Sequence, residues 1–207
     1  MSLPISRFDD PPSVDPPTHP LIPNFKFPKS ANVPPSNDVI CPELWNQRAE
    51  DVLVTAYSTD FNQRFIDNVR ENMSRSYDAY ANVYLDGKPY FMQTDATFEQ
   101  WYKDPIPPPT SPDSETPSNA LEMIQNYLYI PTERPCGHAL VVLIKRLPEV
   151  EDDSLLLALI KRAHVNFNVI ISTSTLGTDA KSFWCEIASK VNGLCFFDEE
   201  KNFVKNS

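Results

Sequence analysis

From residue 51 onward, apolar positions recur with two alternating periods. EDVLVTAYS is a short β-branched run and predicts a strand over 52–57. Thr59 or Asp60 is placed to cap a helix over 60–74, with Phe61, Phe65, Ile66, Val69 and Met73 on one face. Asp86-Gly87 lies between apolar stretches and predicts a hairpin of strands 80–85 and 89–94. A short helix over 96–103 and a proline-rich loop follow. Thr116-Pro117 then supplies a capping hydroxyl and a proline at the first position of a helix bearing Ala120, Leu121, Ile124, Tyr127 and Leu128. HALVVLIKRLP is apolar on both faces, as a central parallel strand requires. After Asp152-Asp153, Leu155, Leu156, Leu159, Ile160 and Ala163 form a further helical face. FNVIISTST is a second buried strand. Thr178 or Asp179 opens the last helix, with Phe183, Trp184, Ile187, Ala188 and Val191 inward and Gly193 as a left-handed C-cap. LCFFD closes as a strand.

The order β-α-β-β-α-α-β-α-β-α-β makes this an α/β chain. The expectation is a doubly wound, mainly parallel six-stranded sheet with one antiparallel edge strand, in the order 3-2-1-4-5-6. No internal repeat is present. Eleven of the 21 prolines precede residue 43. Residues 1–45 therefore read as a disordered Pro-rich arm, 46–200 as the domain and 201–207 as a tail. In the arm, Leu21, Ile22, Phe25 and Phe27 are the apolar residues placed to touch a partner or the domain, and Trp45 stands where it can pin the arm. Trp101 and Trp184 fall on apolar helix positions and read as core.

At 207 residues the chain holds one domain with a sizeable core. Its net charge of −10 disfavours nucleic acid and anionic membrane, which need a cationic surface. No apolar run approaches the roughly 18–20 residues that span a bilayer. The opening MSLPISRFDDPP lacks the apolar core of a signal peptide, so a cytoplasmic location is expected, or an extracellular one if the chain is a fragment or isoform. Cys41, Cys136, Cys185 and Cys195 show no metal-ligand spacing and are expected as free thiols. Cys136 and His138, two apart, are a candidate nucleophile and base, or simply a loop entering a strand. The pairs Asp152-Asp153 and Glu199-Glu200 read as solvated helix ends, and His164 as a helix C-terminus. Neither a phosphate loop nor a nucleophile elbow occurs.

Three features resemble a von Willebrand factor A-type domain over about residues 50–200: the hairpin after the first strand–helix unit, VVLIKRLP followed by a helix and FNVIIST, and the close KSFWCEIASKVNGLCFF. AYSTDFN and IASKVNG are also similar to a nematode-expanded branch of such domains. The resemblance implies a metal-ion-dependent adhesion site, with D-x-S-x-S in the first loop, Thr in the second and Asp in the third. Mg²⁺ held there keeps a position for a partner's carboxylate. This chain departs from that pattern. Its first loop reads Ala56-Tyr57-Ser58-Thr59-Asp60, Thr116 or Ser118 takes the second position, and Lys145-Arg146 falls at the third. A cation there opposes a metal: two unit charges at about 4 Å repel by about 4 kcal/mol at an effective dielectric near 20. The expectation is a degenerate site that binds no metal and no cofactor, with Lys145 or Arg146 set against Asp60 in the metal's place.

Ligands of doubly wound sheets bind beyond the carboxyl ends of the strands. Tyr57, Ser58, Thr59, Ser172, Thr173 and Ser174 line that edge and are the candidate partner-binding residues. The expected function is a non-enzymatic module that docks a protein partner. Two alternatives stand beside it: a secreted A-like adhesion or defence protein, and a hydrolase using Cys136 or Ser58.

Overall fold

The computed structural model describes residues 51–73, 76–86, 92–95, 97–108, 113–129, 135–149 and 152–200. The expectations for the arm, Trp45, the tail and the tip of the hairpin lie outside these. The elements are β1 (Val52–Ser58), α1 (Gln63–Glu71), β2 (Ala79–Leu85), β3 (Met92–Asp95), α2 (Phe98–Lys103), α3 (Ala120–Tyr129), β4 (Ala139–Leu147), α4 (Ser154–Ala163), β5 (Asn166–Gly177), α5 (Lys181–Lys190) and β6 (Cys195–Asp198). They form one sheet in the order β3-β2-β1-β4-β5-β6. From β2 to β6 every pairing is parallel, and each parallel step returns through at least one helix. β3 pairs antiparallel with β2, with Met92 opposite Val83.

All of β1 is buried because helices cover both faces of the sheet. Its alternation distributes side chains to two cores. Val54 and Ala56 join Leu140, Val142 and Val169 under Ile124 of α3, Leu156 of α4 and Trp184 of α5. Leu53 and Tyr57 join Tyr80, Val141 and Leu143 under Phe65 and Ile66 of α1 and Trp101 of α2. Each large apolar side chain so buried contributes roughly 1.5–3 kcal/mol relative to exposure. Among the described residues, no helix is long and apolar enough to cross a membrane.

The second core contains a charge that apolar periodicity does not reveal. Arg70, on α1, is fully buried. Its guanidinium donates to the carbonyls of Tyr102 and Asp104 at 3.2 and 2.9 Å, and to Tyr57 Oη and Asn82 Oδ1 at 3.1 Å each. Asn82 passes the interaction on, donating from Nδ2 to Asp104 Oδ2 at 2.9 Å and accepting from Thr55 Oγ1 at 2.7 Å. The cation also lies 5.5 Å from the Tyr57 ring centroid and 5.2 Å from that of Trp101. Burial pushes the Tyr57 hydroxyl well above the ordinary phenol range, with Arg70 opposing. Tyr57 therefore faces the interior and is no partner-binding residue: it sits on the odd-numbered face of β1, where α1 and α2 close over it.

Several helix starts differ from the pattern-based ones: Asp60, Thr116 and Thr178 use their side-chain oxygens elsewhere, and the Thr59 hydroxyl is buried without capping the helix. Asn62, not Thr59 or Asp60, caps α1, its Oδ1 accepting from Phe65 N at 2.8 Å. α3 begins at Ala120, whose N–H donates to Ser118 Oγ at 3.0 Å, so Thr116-Pro117 precedes the helix instead of starting it. Ser118 N donates to Leu147 O at 3.0 Å, which draws the 114–118 segment alongside the end of β4. α5 starts at Lys181; Thr178 Oγ1 instead donates to Pro148 O at 2.6 Å. Gly193 is not the left-handed residue after α5, since Asn192 has φ 58°. Its role is close approach: a Cβ on Gly193 would lie 1.8 Å from Phe167 O.

The free-thiol expectation is overturned. Cys185 on α5 and Cys195 on β6 form a disulfide, because the two elements pack side by side with Cα atoms 5.2 Å apart. Cys136 is disulfide-bonded as well, and among the described residues none is a free thiol. The Cys136–His138 nucleophile reading therefore fails. His138 has another partner: its Nδ1 and Tyr127 Oη share a hydrogen bond of 2.6 Å. Burial lowers the His138 imidazole from its usual 6.5 to about 4.

This depressed value makes stability depend on pH. The unfolded chain binds a proton at His138 below about pH 6.5, whereas the folded chain does so only near pH 4. The contribution is complete above about pH 6.5, is lost as pH falls toward about 4, and amounts to about 3 kcal/mol at most. Urea unfolding at stepped pH is expected to show a steeper decline for the native sequence than for His138→Gln. Equal slopes would refute the assignment.

Candidate functional site

The chain leaves β1 toward β2 on one side and leaves β4 toward β5 on the other, so the crevice between the carboxyl ends of β1 and β4 is the switch point of the sheet. Residues from four separate segments meet there. Ser58, the last residue of β1, is fully buried. Its Oγ accepts from Lys145 N and Arg146 N at 3.2 and 3.3 Å, tying the two strand ends together. Two residues on, Asp60 receives Arg146 in a bidentate pair, Nε to Oδ2 at 2.8 Å and Nη2 to Oδ1 at 2.9 Å. The remaining Arg146 nitrogen, Nη1, donates to the carbonyls of Asp113 and Thr116 at 2.6 and 2.8 Å. The Arg146 and Asp60 side chains are only 3% and 9% exposed. Hydrogen bonding and charge at Asp60 hold the guanidinium above its ordinary range.

A second acid sits behind this pair. Asp86 follows β2 with φ 65°, and its Oδ1 accepts from Ser118 Oγ. Burial raises its carboxyl above the usual range, while hydrogen bonds from Ser118 and Ser58 pull it down. Asp86 N donates to Asn119 Oδ1 at 2.7 Å, which fixes the turn against the start of α3.

Lys145 points into a neighbouring cluster. Its Nζ lies 2.7 Å from Glu200 Oε1 and 5.6 Å from the Phe61 ring centroid. Glu200 also accepts from Asn62 Nδ2 and Ser172 Oγ, each at 3.5 Å. Across from Lys145, β5 bulges: Ile144 pairs with Ile171, but Arg146 pairs with Leu176. The hydroxyl residues Ser172–Thr175 occupy the bulge, with Ser172 and Ser174 hydroxyls 3.0 Å apart. Thr173 and Ser174 are exposed.

The structure thus brings together Ser58, Asp60, Ser118 and Arg146, with Lys145, Ser172 and Ser174 beside them. Thr116 joins through its carbonyl, while its hydroxyl donates to Asp113 Oδ2 at 3.3 Å. Tyr57 points to the opposite side, and Thr59 is buried at 3% exposure, so neither offers a docking surface. Asp86 was legible only as a turn residue, although its place at the carboxyl end of the strand next to β1 marks it as a crevice residue. Glu200 is not a solvated helix end but an ion-pair partner.

The residues present do not fit a divalent ion. Mg²⁺ wants near-octahedral oxygen ligation, yet both Asp60 oxygens are engaged by the guanidinium. Among the described residues, no group of three or more His, Cys, Asp or Glu side chains is placed to hold a metal.

No protein-family model matches the chain, and no curated protein matches it. Among solved structures, it is similar to the conserved hypothetical protein BatB from Bacteroides thetaiotaomicron, at 11% identity and a TM-score of 0.45, over 75% of this chain and 98% of that one. A second is an aerotolerance-related membrane protein from Bacteroides fragilis, at 13% identity and a TM-score of 0.45, over 74% and 94%. Likeness this distant says nothing about activity.

Proposed function

We propose that the chain is a non-enzymatic, von Willebrand factor A-like interaction module that docks a protein partner at the carboxyl edge of its sheet without a metal ion. The observation that carries this reading is Arg146. Its charge stands where the resemblance places a metal-ligating acid, and its donors are distributed over Asp60 and two main-chain carbonyls. A guanidinium that satisfies four acceptors from fixed positions is a permanent part of the crevice. The Ser58 hydroxyl supports the non-enzymatic side through its burial: it is fully buried, accepts from two main-chain N–H groups of β4 and hydrogen-bonds to the Asp86 carboxyl, which leaves it no open face toward a substrate. Calorimetric titration with Mg²⁺ and Mn²⁺ is expected to give no saturable heat. Saturable binding that Asp60→Ala weakens would overturn the reading.

The disulfides favour one refinement, that the module works in an oxidising compartment, as the secreted reading holds. Bonds such as Cys185–Cys195 persist outside the reducing cytosol. Mass analysis of the chain from its natural source, alkylated without reduction, is expected to leave Cys185 and Cys195 unlabelled. Labelling of both would place the module in a reducing compartment.

A further inference from the structure

We infer that Lys145, Asn62 and Ser172 form a carboxylate-binding pocket that the chain's own Glu200 occupies, and that an acidic group on the partner takes Glu200's place. The inference rests on the docking role proposed above and names the chemistry of the partner. Lys145 and Arg146 are adjacent in sequence but have different fates. Arg146 is committed on every nitrogen to groups inside the domain. Among the described residues, Lys145 has one anionic partner, Glu200, from a segment beyond the last strand. Three elements converge on that carboxylate: β4 through Lys145, the loop before α1 through Asn62, and the β5 bulge through Ser172. Phe61 shields one side of the ammonium. The two side chains are 19% and 18% exposed, buried enough to favour pairing and open enough for exchange.

The latch is able to open without unfolding the domain. The Cys185–Cys195 disulfide anchors the start of β6 to α5, and the pairing of β6 with β5 ends at Asp198 opposite Ser172. Among the described residues, Glu199 and Glu200 are the ones that lie beyond the end of that pairing. The overall charge of −10 repels acidic ligands at long range. Recognition therefore acts at contact, and salt near 0.15 M, with a Debye length of about 8 Å, screens the repulsion.

The probe is acetyl-Gly-Gly-Glu-Gly-Gly-amide, followed by ¹⁵N NMR of the full chain. Its glutamine counterpart and acetyl-pentaglycine with a free carboxyl terminus separate a side-chain carboxylate from a terminal one. Saturable shifts are expected at Asn62 and Ser172–Ser174. Glu200→Gln is expected to tighten binding at least about tenfold, since a self-occupied pocket weakens apparent affinity by the fraction left open. Lys145→Met is expected to abolish the shifts while the rest of the spectrum stays native. Equal affinity for the native chain and Glu200→Gln, binding that survives Lys145→Met, or no binding by either chain would each overturn the latch. Repeating the titration with chelator and with Mg²⁺ distinguishes the two readings: binding that requires Mg²⁺ refutes the metal-free module, whereas its absence in both conditions refutes the latch alone.

Discussion

Arg70→Met is expected to lower the unfolding free energy by about 3–5 kcal/mol, the range for breaking a buried charge network by removing one member. The substitution keeps the apolar stem but removes every donor. The carbonyls of Tyr102 and Asp104, Asn82 Oδ1 and Tyr57 Oη then lose a partner inside the core. Asp104 also loses the positive charge that faces it across Asn82. An unpartnered buried acceptor costs about 1–3 kcal/mol, and these four do not add independently. Urea denaturation followed by tryptophan fluorescence is a suitable measure, because Trp101 packs on the Arg70 guanidinium. A midpoint within error of the native chain would show that the network contributes no stability.

Arg146→Ala is expected to have an effect of similar size, again about 3–5 kcal/mol, with a second signature. Without the guanidinium, Asp60 and Asp86 share one crevice with no cation between them, and the Asp113 and Thr116 carbonyls lose their donor. Those groups, with the Ser58 and Ser118 hydroxyls, are oxygen ligands of the kind hard cations prefer. Added Mg²⁺ is therefore expected to raise the melting temperature of Arg146→Ala and leave that of the native chain unchanged. Arg146→Lys recovers only part of the loss, because a point charge on a flexible stem cannot replace a planar fork that reaches four acceptors. A variant as stable as the native chain, or one indifferent to Mg²⁺, contradicts the role assigned to Arg146.

The alternation of strand and helix was legible because each element buries a face with its own period. The central place of β4 followed from its nearly continuous apolar run, ALVVLIKRL, and the strand order from right-handed crossovers. That Asp60 faces a cation from the end of β4 was legible too, since the ends of β1 and β4 meet there, but the choice of Arg146 over Lys145 was not. What stayed hidden depended on contacts between distant segments. Arg70 lies on a helix whose apolar stripe says nothing of an acceptor cage assembled from β1, β2 and the residues after α2. The cap of α1 moved to Asn62 because a group 86 positions away engages Asp60. Pairing of Cys185 with Cys195 required knowing that α5 lies against β6. Tyr57 and Thr59 were placed at the rim by position along the chain, but α1 and α2 close over Tyr57, and Thr59 is buried where its N–H meets the end of β2.

A soluble ion comes and goes with the medium; Arg146 is covalently tethered and cannot be stripped or exchanged. Its effective concentration beside Asp60 is set by the backbone, so chelators and fluctuating calcium or magnesium leave it untouched. The crevice closed in this way does not answer to divalent-ion levels. On the docking role proposed above, release of a partner falls to the partner itself or to the loops around the crevice.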